Sequence, residues 1–95
     1  MEYTQISQDY KYDLLAEQLY SREVEHFHYN FDKQNLENML AAMSQEEPNR
    51  ANIQQRLNDT ITQMNIVEQI YNALQAQITD PAAYQAAVIR RANKV

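Results

Sequence analysis

Between residues 53 and 78, apolar positions recur by fours and threes: Ile53, Leu57, Thr60, Met64, Val67, Tyr71, Leu74 and Ile78. The pattern makes a heptad-like seam, widened by Ile61, Ile66 and Ile70, and predicts one long amphipathic helix. Pro48 suits the first helical position, where its missing N–H costs nothing, so this helix is expected over about residues 48–77. It would be roughly 45 Å long at 1.5 Å per residue.

The preceding segment carries two stripes. Ile6, Tyr10, Leu14, Tyr20, Val24, Phe27 and Phe31 follow one face; Tyr12, Leu15, Leu19, Tyr29, Leu36, Leu40 and Met43 follow another. A helix over about residues 4–44 is predicted, with a register drift near residues 30–35 where the pattern shifts. The turn at residues 45–49 is short enough to force the first two helices antiparallel. Such a neighbour covers only one of two stripes.

Thr79-Asp80-Pro81 pairs a capping oxygen with an N1 proline, which predicts a third helix over about 81–93. That helix should bury Tyr84 and Val88, with Ile89 beside them, through an alanine-rich face. The expected fold is all-α: a long, coiled-coil-like antiparallel hairpin plus a short C-terminal helix, one helical domain over 1–95. Two such hairpins would pair into a four-helix-bundle dimer, hiding the uncovered stripe.

Composition strengthens this reading. The 95 residues include no glycine, where roughly seven would be average. Tight hairpin turns and glycine-rich phosphate loops therefore lack the residue that adopts positive φ cheaply. The chain has no cysteine, which excludes disulfides, thiolate catalysis and cysteine zinc sites. The segment Met1-Glu2-Tyr3-Thr4-Gln5 has neither the basic nor the apolar region of a signal peptide. A cytoplasmic protein without membrane contact is expected.

The net charge is −5, and ten of the thirteen acids precede Pro48. An acidic body repels phosphate backbones, so no nucleic-acid partner is expected. Arg90, Arg91 and Lys94 lie near the end of the third helix, where the macrodipole favours cations.

The one stretch with candidate chemistry is Glu23-Val24-Glu25-His26-Phe27-His28. The two histidines stand about 200° apart on a helix and cannot share one metal. Each follows a glutamate by three residues, the ligand spacing of carboxylate–histidine dimetal bundles. Antiparallel pairing brings Glu68 to the same level, so Glu23, His26 and Glu68 form the alternative, ferritin-like metal reading. In the plainer packing reading, one histidine bonds Glu68 at the seam and the other faces solvent. No nucleophile elbow, P-loop or dinucleotide fingerprint is present.

The expectation from sequence is a non-enzymatic assembly module with no cofactor. It would self-associate through Tyr20, Val24, Phe27 and Phe31, with Tyr10 and Leu14 toward one end. A different protein covering the same stripe is the competing occupant.

Overall fold

A computed structural model of the chain describes the backbone of residues 3–94 and the side chains of residues 8–94. Those residues form three helices and no strand: α1 (Tyr3–Ala42), α2 (Arg50–Gln75) and α3 (Pro81–Asn93). Helix α1 packs on both α2 and α3. Contacts divide the chain into two compact units, residues 1–23 with 70–95, and residues 24–69. The side chain of Ile6 lies outside the described residues.

In the first unit, Tyr12, Leu15, Ala16 and Leu19 of α1 meet Ala87 of α3. Tyr71 and Leu74 of α2, Ile78, and Ala83, Tyr84 and Val88 of α3 close around them. Ala87 is fully buried and Ala16 nearly so, because two methyl side chains let helix backbones approach closely. Ile89, expected to bury beside Val88, is 54% exposed. At 100° per residue it turns away from the Ala83–Ala87 line that faces α1.

The entry to α3 follows the capping rule. Asp80 has extended backbone and its carboxylate accepts from the Ala83 N–H at 3.1 Å, while Pro81 fills N1. The connection before it is held by one phenol. The Tyr12 hydroxyl oxygen accepts from the backbone N–H groups of Thr79 (3.2 Å) and Asp80 (3.0 Å), and lies 3.1 Å from the Thr79 hydroxyl. A buried tyrosine thus satisfies donors that a helix break would orphan. The Thr79 hydrogen bond holds the Tyr12 phenol below its ordinary 10.0, against the opposing pull of burial.

In the second unit, Leu36 and Leu40 of α1 pack on Ile53 and Leu57 of α2, with Met43 against them. Each buried leucine of this kind contributes on the order of 1.5–3 kcal/mol relative to exposure. The pairing is antiparallel. Helix α2 begins at Arg50, two residues later than expected, because Pro48 lies in the turn. Asn49 then flanks the helix, its carbonyl accepting from the Ile53 N–H at 3.2 Å. Arg50 works backwards: one guanidinium nitrogen donates to the carbonyls of Leu40 (2.9 Å) and Met43 (3.3 Å) at the end of α1.

Candidate functional site

The stripe expected to self-associate is exposed. In the first unit Tyr10 is 68% exposed, and Leu14 and Tyr20 are exposed as well. In the second unit Phe27 is 67% and Phe31 57% exposed, whereas Val24 is half-buried. The other α1 stripe went inward: Tyr12, Leu15, Leu19, Leu36 and Leu40 are buried. Each unit therefore closes its core without the aromatic stripe. The Phe27 ring meets that of His28 edge-on at 6.1 Å.

In the first unit a second layer surrounds Tyr20. The Arg91 guanidinium stacks on its ring, 3.6 Å from the centroid, and its Nε reaches Glu17 at 3.1 Å. One turn away, Arg90 grips Asp13, with two nitrogens at 2.7 and 2.8 Å from Oδ1. The cations near the end of α3 thus pair with acids of α1, and not merely with the helix dipole. These pairs are partly exposed, so each contributes at most about 1 kcal/mol. Beside them a shallow groove of about 230 Å³ is lined by Tyr10, Asp13, Leu14, Glu17, Arg91 and Lys94.

The histidine and glutamate candidates separate into two pairings. Glu68 accepts from His26 Nε2 at 2.9 Å in the second unit, while His28 is exposed. Glu23, in the first unit, accepts from the Tyr71 hydroxyl at 3.1 Å. Burial, and then that carboxylate, push the Tyr71 phenol above its ordinary value; burial does the same to Tyr84. Among the described residues, no group of three or more histidine and carboxylate side chains is placed to hold a metal ion.

Arg90, Arg91 and Arg50 were not singled out for these roles by the sequence. Their acids or carbonyls lie on other helices, and only a charge pattern of acids early and bases late hinted at the first two. Among the described residues no helix is long and apolar enough to cross a membrane. Compared with protein-family models, curated proteins and solved structures, the chain finds no match, so its residues alone carry the reading of its function.

Proposed function

We propose that the chain is a non-enzymatic helical assembly module that self-associates through the aromatic stripe of α1. The observation that carries this is the exposure of Phe27 and Phe31, more than half in water and outside the buried cluster of Leu36, Leu40, Ile53 and Leu57. Large exposed aromatics one helical turn apart are the usual anchors of helix–helix contacts, and leaving them solvated is unfavourable. Tyr10, Leu14 and Tyr20 extend the stripe in the first unit, with Val24 at its half-buried edge in the second. Covering two such surfaces against each other gives a symmetric dimer of hairpins.

Native mass spectrometry and sedimentation of untagged protein test the proposal. A dimer or higher oligomer that needs no metal supports it. A monomer at all accessible concentrations refutes it and favours a different protein as the occupant of the stripe.

A further inference from the structure

We infer, building on that self-association, that a second copy docks parallel and in register along one seam of α1 in the second unit. The seam is Val24, Phe27, Phe31, Gln34 and Asn38, which recur at intervals of three, four, three and four. That spacing is the core repeat of a two-stranded coiled coil. Leu36 and Leu40, on the opposite side of the helix, bury against Ile53 and Leu57 of α2. Phe27, Phe31, Gln34 and Asn38 are all exposed, and Val24 is half-buried.

The strip itself is uncharged. None of its five residues is charged, although the chain carries −5 and the first 47 residues hold ten acids. Flanking it, Asn30 and Asn35 are amides, while Glu23 and Glu37 stand one heptad before and after Asn30; in a parallel in-register pair they face His28 and Ala42 of the second copy, not another acid. Glu25 and Asp32 lie farther round the helix, and Glu37 is bonded by Lys33 at 3.1 Å. Two acidic helices in this pairing meet without acids face to face.

The amides fix the orientation. An antiparallel pair centred on Phe31 sets Asn38 against Val24 of the second copy, and Gln34 against Phe27 and His28. Asn38 then loses water to an apolar neighbour, which is unfavourable without a hydrogen-bond partner. In the parallel pair like faces like. Phe27 and Phe31 form two aromatic layers, and each Asn38 meets its own copy. A carboxamide both donates and accepts, so two of them satisfy each other. A single asparagine at such a core position is a known determinant of register and strand number.

The chain has no cysteine, so Val24→Cys and Gln34→Cys, made separately, test the docking under mild oxidation. The two positions are roughly 15 Å apart along the helix, and only a parallel in-register pair brings each next to its own copy. Disulfide-linked dimers from both variants, where wild type sediments as a dimer, are the expected result. Linkage at one position or neither, with wild type still dimeric, overturns this docking and leaves self-association standing. A monomeric wild type overturns both.

Asn38→Asp supplies a second readout at an exposed position that the fold tolerates. It is expected to weaken association at least tenfold, whereas Asn65→Asp on the exposed side of α2 changes nothing. Equal effects of the two, with helix content preserved, overturn the seam.

Discussion

Truncating Phe27 and Phe31 should dissociate the assembly and spare the fold, and the size of the effect follows from exposure. Phe27 leaves 67% and Phe31 57% of its surface in water. For a side chain of about 200 Å², complete coverage removes roughly 130 and 110 Å² per protomer. At about 25 cal/mol per Å² this amounts to about 3 kcal/mol for each ring. Alanine retains the Cβ, so truncation forfeits about 2 kcal/mol per ring, or about 4 kcal/mol in a dimer that carries the change twice. Every 1.4 kcal/mol is a factor of ten, so each single substitution should raise the dimer dissociation constant by on the order of a thousandfold.

The same substitutions open no cavity, because neither ring is part of the core. Their effect on the monomer should stay within about 0.5 kcal/mol, as for other exposed positions. Leu19→Ala sets the contrast: Leu19 is 1% exposed, and its truncation should cost about 2–5 kcal/mol of folding stability. Sedimentation equilibrium gives the dissociation constant. Urea unfolding followed by far-ultraviolet circular dichroism, at concentrations where the protein is monomeric, gives the stability. Dissociation constants unchanged in both phenylalanine variants would refute the reasoning. So would a loss of monomer stability as large as that of Leu19→Ala, since it would place the rings in the core.

Alkaline pH should destabilise the fold through Tyr71 and Tyr84. Both phenols are raised above 10.0, so the stability they support is present below that pH and is lost as pH rises through the raised values. Tyr12, shifted down, acts in the opposite sense. The Tyr71→Phe, Tyr84→Phe double variant should therefore lose less stability above pH 10 than wild type in urea titrations, and an equal loss would contradict the assignment. Asp80→Ala removes the acceptor for the Ala83 N–H and should cost about 0.5–2 kcal/mol, with Asp80→Ser restoring most of it in thermal melts. Native mass spectrometry after addition of Fe(II) or Mn(II) should show no bound ion. Two ions per pair of chains would return Glu23, His26 and Glu68 to the role of ligands.

Helix content and its breaks were legible in the sequence, because they depend on local chemistry. The lack of glycine, the Asp80-Pro81 start and the seam through Ile53, Leu57 and Val67 each act within a few residues of themselves. The two stripes of α1 were legible for the same reason: 3.6-residue periodicity states which residues share a face. It does not state what covers the face. That Tyr12, Leu15 and Leu19 turn inward while Phe27 and Phe31 stay in water depends on where α2 and α3 lie, and helical repeat alone is indifferent to the choice. The contact of His26 with Glu68 was foreseeable, since the short turn at residues 45–49 fixes the antiparallel level.

Other features exist only once the chain is folded. Tyr12 takes the N–H groups of Thr79 and Asp80, Arg90 pairs with Asp13, and Arg91 stacks on Tyr20. Each joins side chains nearly the whole length of the chain apart, with no local pattern to announce the partner. Ala87, the most buried residue of α3, is likewise silent in a hydrophobicity pattern: a methyl group becomes core only where two helix backbones come close enough to need one. Sequence determined the helices and their candidate faces through short-range periodicity and capping. Tertiary packing decided which face was spent on the core and which stayed in water, because that choice depends on long-range contacts that no single helix encodes.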